Sequence, residues 1–478
     1  MSKLLKNSTI YIMMHFLQKS LGFLLLPLYT AFLSPTDYGI ISIVNSIDTF
    51  LSILFSLSLS SAVVRLYYRH KTSPEYIKEL WGTCITITVL MVITLLPLLL
   101  IFRNFIFTPF TRGISFYPYL LIGIISTALN PIYLLHQGSL QAKQEGFKFA
   151  INNVSFFISN ILLTILFVVI LNKKAEGVLL ANLITNLIFF IISVIYFIPK
   201  IRIGINKNAA KESLQYSLPL LPHTIAGKIN STFDRIMINK MISTESAGLY
   251  NLGNQLSSII STIALSVNNA FSPWFFEKDS MGKGNSQKVN SAAYMIIDIY
   301  ILLGTGLSLF SKEIITIFIN DRYFEVWKSL PILAFGSVFV GIYFVASNPL
   351  FLEKTKLVSF ITISTASVNI LLNFILIPKY SYTGAAVATL ITQFLQSLIT
   401  NILVLNNKSM RLNIFRIYSG AVIGMLISSS IWLQVNRWAS LSLRIIIYFI
   451  LLFIVYKLHQ KTLLQLFKNK NKLKKNIA

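Results

Sequence analysis

The chain carries little charge and almost no cysteine. Only 12% of its 478 residues are charged, whereas a typical soluble domain carries about 25%. Its single cysteine, Cys84, excludes an intrachain disulfide and a cysteine-based metal cluster. Hydrophobic residues make up 55% of the chain, and the mean hydropathy is +0.70. This balance excludes an ordinary soluble domain and indicates a membrane protein with many spans.

The short motifs of several enzyme classes are also missing from the sequence. It contains no GxxxxGK[ST] phosphate loop, no HExxH and no Gly-rich dinucleotide turn, so neither ATP hydrolysis nor metalloprotease chemistry is expected. The loops between the apolar runs are too short to hold a glycosyltransferase site. We therefore expect a protein that is not an enzyme and that uses no cofactor and no metal.

Apolar runs long enough to cross a bilayer recur to the end of the chain, and each predicts a transmembrane helix. The first run follows basic residues, as in a signal peptide, but it lacks a small-residue cleavage site and predicts an uncleaved helix. We predict an all-α polytopic membrane protein with about 14 transmembrane helices. The predicted spans are 9–33, 39–63, 80–102, 114–137, 149–171, 177–199, 214–241, 247–272, 290–318, 329–352, 357–377, 383–405, 414–434 and 439–459.

The net charge of +25 is explained better by membrane topology than by nucleic-acid binding. Of the 41 Lys and Arg residues, 27 fall on the side of the N-terminus if the spans are threaded in order, and ten fall on the other. Cytoplasmic loops of membrane proteins carry such an excess. We expect both termini to be cytoplasmic and no nucleic acid to be bound.

The chain repeats itself at an offset of 209 residues. Residues 33–47 (LSPTDYGIISIVNSI) align without a gap on residues 242–256 (ISTESAGLYNLGNQL). The alignment pairs Ser34 with Ser243, Gly39 with Gly248, and Asn45 with Asn254. Because the offset covers six helices, an even number, the two halves are expected to have the same orientation, related by an axis along the membrane normal.

The repeat predicts two six-helix pseudo-symmetric bundles around a central cavity, plus two C-terminal helices. The predicted divisions are 1–205 for the N-terminal bundle, 206–410 for the C-terminal bundle, 411–460 for two additional helices and 461–478 for a basic cytoplasmic tail.

Basic residues lie in the middle of predicted spans, where a charge costs at least about 2.5–3.5 kcal/mol. The offset places Lys19 on Lys228, and Arg235 follows on the same helical face;. Their placement predicts a hydrated cavity that attracts an anion. The lysines could instead pair with buried carboxylates, Asp48 being the partner expected for Lys19, and Arg235 could reach the interface.

Other polar residues extend this prediction. Amide and hydroxyl side chains recur along the eighth predicted helix and would suit a sugar, although polar contacts between helices are the alternative. The predicted substrate-binding residues are Lys19, Lys228, Arg235, Asn45, Asn254 and Gln255. The candidates for ion coupling are Asp48, Asp234, Asp298 and His223. Asp298 is isolated in its helix and could instead be a buried neutral acid, and His223 could instead be a packed or hydrogen-bonded histidine. Pro219 and Pro222 are expected to bend the seventh helix.

Three segments of the chain resemble one family. They are FLLLPLYTAFLSPTDYGI (23–40), YSLPLLPHTIAGKINSTFDRIMINKMISTESAGLYNLG (216–253) and VASNPLFLEKTK (345–356). They are similar to the polysaccharide transporters of the multidrug/oligosaccharidyl-lipid/polysaccharide flippase superfamily, which include O-antigen and capsule-unit flippases. The resemblance implies a twelve-helix core with two extra helices and a cationic cavity, here Lys19, Lys228 and Arg235.

The resemblance also implies the transport of an oligosaccharide linked to undecaprenyl pyrophosphate across a bacterial plasma membrane, in the presence of membrane lipids and other assembly proteins. A lipid II flippase would share the cationic cavity. A drug or cation exporter of the same superfamily should have an acidic one. A membrane polysaccharide polymerase or ligase should have a large external loop, which the sequence lacks.

Overall fold

The computed structural model describes residues 22–23, 25–280, 286–405, 407, 410–432 and 437–475, and within these residues every regular element is helical. The helices of the first part of the chain are α1 Leu26–Phe32, α2 Pro35–Ser56, α3 Leu59–Arg69, α4 Pro74–Ile101, α5 Arg103–Phe107, α6 Leu121–Ala142, α7 Gly146–Thr164, α8 Lys174–Phe197, α9 Lys207–Ser217 and α10 Leu221–Met241. They are followed by α11 Thr244–Ser280, α12 Ser286–Leu309, α13 Ser311–Phe318, α14 Leu330–Glu353, α15 Thr355–Val404, α16 Ile414–Ser428 and α17 Arg437–Lys475.

Ten helices among the described residues are long and apolar enough to cross a membrane. They are Pro35–Arg69, Pro74–Ile101, Phe116–Ala142, Gly146–Ile170, Lys174–Lys200, Ser286–Leu309, Leu330–Leu352, Leu357–Val404, Ile414–Trp432 and Ser440–Gln460. The predicted class, an all-α membrane protein with many spans, is confirmed. The count of fourteen stays a prediction. Most of the first span lies outside the described residues, and two other spans fall within Leu357–Val404, which is interrupted at Ser381. The spans predicted over 214–241 and 247–272 are not among the ten.

Local sequence explains why α2 begins where it does. Ser34 accepts a hydrogen bond from the Asp37 backbone amide at 3.1 Å, and the Asp37 carboxylate accepts one from the Ser34 amide at 3.0 Å. This reciprocal capping satisfies two amides that a helix start leaves free. Pro35 occupies the first helical position, where its missing N–H costs nothing;.

Two predicted helices are divided in the structure. The span predicted over 39–63 breaks at Leu57 and Ser58, whose φ angles are 45° and 54°. No glycine or proline lies at this break, so it could not be predicted from the local sequence. The seventh predicted helix changes into a 3₁₀ turn, Leu218–Leu220, between α9 and α10, at the position where Pro219 was expected to bend it.

The described chain forms two compact units. The first contains the residues up to Asn251 together with Asn373–Tyr382, and the second contains Leu252–Leu372 and the chain from Thr383 onward. This division follows spatial packing, and the predicted boundaries at 205, 410 and 460, which follow the repeat, stay predictions.

The first unit is built around α6, which packs against α2, α3 and α8, while α10 packs against α2. Its apolar core joins α3, α4 and α6 through buried side chains such as Leu59, Trp81 and Ile132. Cys84 is buried in the same core, where its Sγ lies 3.5 Å from Ser213 Oγ. Helix α2 therefore lies between α6 and α10.

The connector between α8 and α9, residues 198–206, lies against the start of α4. The Arg202 amide donates to the Lys78 carbonyl oxygen at 3.2 Å, and Asn206 Nδ2 donates to Glu79 Oε2 at 2.7 Å. A Cβ on Gly82 would lie 1.9 Å from the Arg202 carbonyl oxygen. Only glycine fits this position, so the connector is held against α4 backbone to backbone.

The second unit has its core around α12, which packs against α14, α16 and α17. Tyr300 is fully buried there, and its hydroxyl donates to the Ala264 carbonyl oxygen at 3.3 Å. A Cβ on Gly341 would lie 2.6 Å from the Tyr300 ring, so this glycine makes room for the aromatic side chain.

Candidate functional site: a polar cavity in the first unit

A cavity of about 390 Å³ lies within the first unit. Four helices contribute to its wall, namely α2, α6, α8 and α10. The lining residues are Asn45, Asp48, Thr49, Ser52 and Ile53 from α2, Ser126, Thr127 and Asn130 from α6, Asn182 and Asn186 from α8, and Lys228 from α10. Amides, hydroxyls and two charged groups thus make up almost the whole wall.

Helix α2 presents its polar residues to the cavity because of their spacing. Asn45, Asp48, Thr49 and Ser52 recur three or four residues apart and therefore share one face of the helix;. Apolar residues on the other side of the helix, such as Ile43, are buried in the unit. The polar stripe of α2 is thus the cavity face of an otherwise apolar helix.

The carboxyl group of Asp48 lies close to α6. A Cβ on Gly123 would lie 2.4 Å from Val44 Cγ1 and 2.9 Å from Asp48 Oδ2, so α2 and α6 meet at this distance only because residue 123 is glycine. The buried Asp48 Oδ1 has no hydrogen-bond partner among the described residues. Asp48 therefore retains an acceptor that a bound group could use.

Amide side chains link the helices that form the wall. Asn130 Nδ2 donates to Asn186 Oδ1 at 2.8 Å, and Asn186 Nδ2 donates to Ser126 Oγ at 2.8 Å. Behind them, Asn160 Nδ2 donates to Asn182 Oδ1 at 2.8 Å. These bonds fix the orientation of Asn130 and Asn186 and hold α6 against α8. The same residues thus serve both as polar contacts between helices and as part of the cavity wall.

Lys228 is the cationic group of the described cavity wall. Its side chain is exposed and forms no ion pair within the described part of the chain. Its carbonyl oxygen accepts hydrogen bonds from Ser231 Oγ and Thr232 Oγ1, so these hydroxyls are engaged with their own helix. The ammonium group is therefore available to a ligand.

The structure brings three of the predicted residues to this cavity, namely Asn45, Asp48 and Lys228. Arg235 does not line it; Arg235 Nη1 donates to the Ser231 carbonyl oxygen at 3.0 Å. Lys19 lies outside the described residues, and so does the side chain of His223. The predicted contact of Lys19 with Asp48 consequently stays a prediction.

Other predicted residues are located elsewhere. Asp234 is buried, and its carboxylate accepts hydrogen bonds from Tyr250 Oη at 2.7 Å and from Asn373 Nδ2 at 2.5 Å. Asn254 and Gln255 are half-buried residues of the second unit. Roles of these residues in binding or ion coupling stay predictions.

The view of Asp298 as isolated was wrong. In the second unit its Oδ2 lies 2.7 Å from His459 Nε2 and 3.2 Å from Arg416 Nη2. The partners come from α16 and α17, more than a hundred residues away in sequence, so inspection of its own helix could not reveal them.

Sequence reasoning did not identify the contribution of α6. Ser126, Thr127 and Asn130 line the cavity, and their spacing of three or four residues before Pro131 was the available signal.

Among the described residues, no group of three His, Cys, Asp or Glu side chains is placed to hold a metal ion.

A bundle of membrane-spanning helices with a protein-lined polar cavity defines a polytopic membrane protein of the transporter type. The chain belongs to the polysaccharide biosynthesis protein family, whose model matches residues 4–278. A second family model, MatE, matches residues 219–375. The predicted membership of the multidrug/oligosaccharidyl-lipid/polysaccharide flippase superfamily is thereby confirmed.

Related proteins agree with this assignment. The chain is 24% identical over 408 residues to an uncharacterized membrane protein of Haemophilus influenzae, and the alignment covers 80% of this chain and 94% of that protein. It is 27% identical over 258 residues to the capsular polysaccharide biosynthesis protein CapF of Staphylococcus aureus, which covers 50% of this chain and 63% of that protein.

Solved structures share the fold. The lipid II flippase MurJ in an inward closed conformation matches with a TM-score of 0.75 at 20% identity, covering 95% of this chain and 99% of the other. A multidrug resistance MATE family transporter in an inward-facing conformation matches with a TM-score of 0.63 at 12% identity, covering 89% and 96%. At these identities the likeness concerns the fold.

Proposed function

We propose that the protein is a flippase that moves an oligosaccharide linked to undecaprenyl pyrophosphate from the cytoplasmic to the outer leaflet of a bacterial plasma membrane. The observation that carries this proposal is the Lys228 ammonium group, which forms no ion pair among the described residues and lines a cavity of amides and hydroxyls. Both termini of the chain are cytoplasmic in this proposal.

The chemistry of the cavity suits the two polar parts of such a substrate. A pyrophosphate is an anion that cannot cross hydrocarbon unaided, and an ammonium group binds phosphate oxygens through charge-assisted hydrogen bonds. Asn45 and Asn130 offer donors and acceptors of the kind that sugar hydroxyls need;. The polyprenyl tail stays in the lipid while the headgroup occupies the cavity.

Asp48 adds a carboxylate to the same cavity, which is therefore not purely cationic. The described structure has no ion pair between Asp48 and Lys228, so each charge can engage a separate group. In our proposal Lys228 binds the pyrophosphate, while Asp48 binds a sugar donor or a coupling ion. Arg235 and Asp234 do not line this cavity. Lys19 lies outside the described residues, and its role in binding the anion stays a prediction.

The alternatives are a lipid II flippase and a drug or cation exporter of the same superfamily. The family match and the relative CapF favour a substrate from polysaccharide biosynthesis. An exporter of cations requires a net acidic cavity, which the presence of Lys228 does not favour. A polymerase or ligase would require a large catalytic loop, and we propose none.

The test is complementation of a strain that lacks its flippase, with surface polysaccharide measured beside the amount of inserted protein. A hydrogen bond to a charged group contributes about 1.5–3 kcal/mol, so Lys228→Ala should lower transport by about tenfold to a hundredfold. Lys228→Arg keeps the charge with a different shape and should retain part of the activity.

Lys240→Ala is the matched control, because Lys240 is an exposed lysine near the end of the same helix and does not line the cavity. It should transport at the normal rate. Full activity of the double variant Lys19→Ala/Lys228→Ala, at normal protein level, would contradict the proposal. Rescue of a lipid II flippase deficiency, without rescue of surface polysaccharide, would favour the first alternative.

A further inference from the structure

A second cavity of the first unit, of about 340 Å³, lies between α3 and α6. None of its described lining residues carries a charge, and apart from one glycine the wall consists of hydroxyls, amides and two aliphatic side chains. We call this cavity the serine–glutamine pocket. Its lining residues are Ser60, Ser61 and Val64 from α3, and Leu134, Gln137, Gly138 and Gln141 from α6.

The protein leaves most polar groups of this pocket unused. The hydroxyls of Ser60 and Ser61 and the side-chain amide of Gln141 form no hydrogen bond within the described part of the chain. Ser61 and Gln141 are also exposed. These groups therefore offer both donors and acceptors to a ligand.

Gln137 is the buried polar member of the wall. Only 7% of the residue is exposed, and its Oε1 has no hydrogen-bond partner among the described residues. The amide is held in place because Nε2 donates to Tyr133 Oη at 2.6 Å, while Tyr133 Oη donates to Asn153 Oδ1 at 3.4 Å. A buried acceptor without a donor is costly. A ligand O–H or N–H that reaches Oε1 would remove this cost.

The break between α2 and α3 places the serines against α6. Leu57 and Ser58 have φ angles of 45° and 54°, which cost free energy in residues other than glycine, and such strain concentrates at functional sites. A Cβ on Gly138 would lie only 3.1 Å from the Ser60 carbonyl oxygen, so the glycine lets the start of α3 lie close to α6. The strained break therefore directs α3 toward this pocket.

The pocket continues the line of the first cavity along α6. Asn130 lines the cavity of Lys228, and Gln137 lines the serine–glutamine pocket. They are seven residues apart, so they lie on the same face of α6 at a separation of about 10 Å along the helix. A ligand with several linked units can therefore contact both sites through one helix.

We propose that the serine–glutamine pocket binds an uncharged sugar unit of the lipid-linked oligosaccharide, while the Lys228 cavity holds its pyrophosphate. Hydroxyl and amide groups match sugar hydroxyls, and Val64 and Leu134 match the apolar face of a sugar ring;. An anion would find no cation in the described wall, and an acyl chain would leave its amides without hydrogen bonds. The identity of the sugar donor as a lipid-linked substrate rests on the proposed function.

The experiment measures occupancy of the pocket in the purified full-length protein. Ser61→Cys in a Cys84→Ser background is labelled with a maleimide, alone or with one of two probes. The probes are inorganic pyrophosphate and the free oligosaccharide repeat unit, released by hydrolysis from the surface polysaccharide of the strain that carries this protein. Because only unoccupied protein reacts, the oligosaccharide should slow labelling about fivefold at about four times its Kd. Pyrophosphate should not slow it.

Substitutions in the wall then test the polar contacts. Gln137→Leu should raise the Kd of the oligosaccharide, read from this protection, about threefold to tenfold, as expected for one lost hydrogen bond. Tyr133→Phe keeps the Gln137 amide but removes its acceptor, so the Kd should rise by less. Gln141→Leu changes an exposed side chain, which protects the test against poor folding of the Gln137 variant, and should also raise the Kd.

Gln215→Leu is the matched control, because Gln215 is an exposed glutamine of α9 that lines neither cavity. It should leave the Kd unchanged. The proposal would be overturned by labelling that the oligosaccharide does not slow, by equal protection with pyrophosphate, or by equal Kd values in Gln215→Leu and Gln141→Leu.

These outcomes are separable from the test of the proposed function, because the free oligosaccharide carries neither lipid nor pyrophosphate. Normal transport by Lys228→Ala, together with protection of Ser61→Cys by the oligosaccharide, would refute the anion site and leave the sugar pocket. Lost transport by Lys228→Ala without such protection would refute the sugar pocket and leave the anion site.

Discussion

The ion pair between Arg444 and Glu313 should be a main stabilising contact of the second unit. Arg444 Nη2 lies 2.7 Å from Glu313 Oε1, and Arg444 Nη1 donates both to Glu313 Oε2 at 3.1 Å and to the Leu309 carbonyl oxygen at 2.6 Å. Only 4% of Arg444 is exposed. The contact joins α17, one of the two helices beyond the repeat, to α12 and α13.

Arg444→Ala leaves the Glu313 carboxylate largely buried, without its cation, and leaves the Leu309 carbonyl oxygen without this donor. Breaking a buried ion pair from one side costs about 3–5 kcal/mol, because a charge remains without compensation. We expect a loss of this size in the free energy of unfolding. Replacing both partners by apolar residues, Arg444→Met with Glu313→Leu, should be close to neutral.

The measurement is equilibrium unfolding of the detergent-solubilised protein followed by tryptophan fluorescence. Arg416→Ala is the control: Arg416 is 43% exposed and contacts Asp298, which keeps His459 as a partner. An exposed pair contributes about 0.2–1 kcal/mol, so the control should lose no more than that. Equal losses in Arg444→Ala and Arg416→Ala, or a double apolar variant as unstable as Arg444→Ala, would refute the reasoning.

Two further predictions concern the cavity wall and the topology. Asn186→Ala removes the hydrogen bonds to Asn130 and Ser126. Because hydrogen bonds of this kind average about 0.6 kcal/mol in a membrane, the free energy of unfolding should fall by only about 1 kcal/mol in the same assay, while transport should fall by more than this loss of stability explains. Proportional losses of stability and transport would show that Asn186 has only a structural role. A cysteine placed at Lys173 should be labelled from outside the cell and one at Lys207 should not, and the opposite result would reverse the predicted orientation.

The sequence could predict those parts of the site in which a single charged or polar residue lies among apolar residues of the same helix. Lys228 and Asp48 are charges within apolar helices, and both line the cavity. Asn45 was selected through the repeat, and it lines the cavity as well. A charged side chain in an apolar span is energetically costly and therefore indicates a function. Such a residue can be recognised from the sequence alone.

What the sequence could not show depends on contacts between distant helices. The amide network from Asn130 to Asn186 joins α6 to α8, and either residue alone resembles an ordinary polar group in a helix. Asp298 is paired by α16 and α17 for the same reason. The break after α2 occurs at Leu57, a residue without turn preference, so packing must decide it.

The connector held against α4 changes how the two halves of the repeat are linked mechanically. A free tether of this length would let the preceding and following helices move independently. Here the Arg202 amide and the Asn206 side chain are hydrogen-bonded to the first turns of α4. Because Gly82 has no side chain, the Arg202 carbonyl group can lie directly against the α4 backbone. The connector therefore fixes the residues before α9 to the first turns of α4, and the next departure from α-helix toward α10 is the 3₁₀ turn Leu218–Leu220.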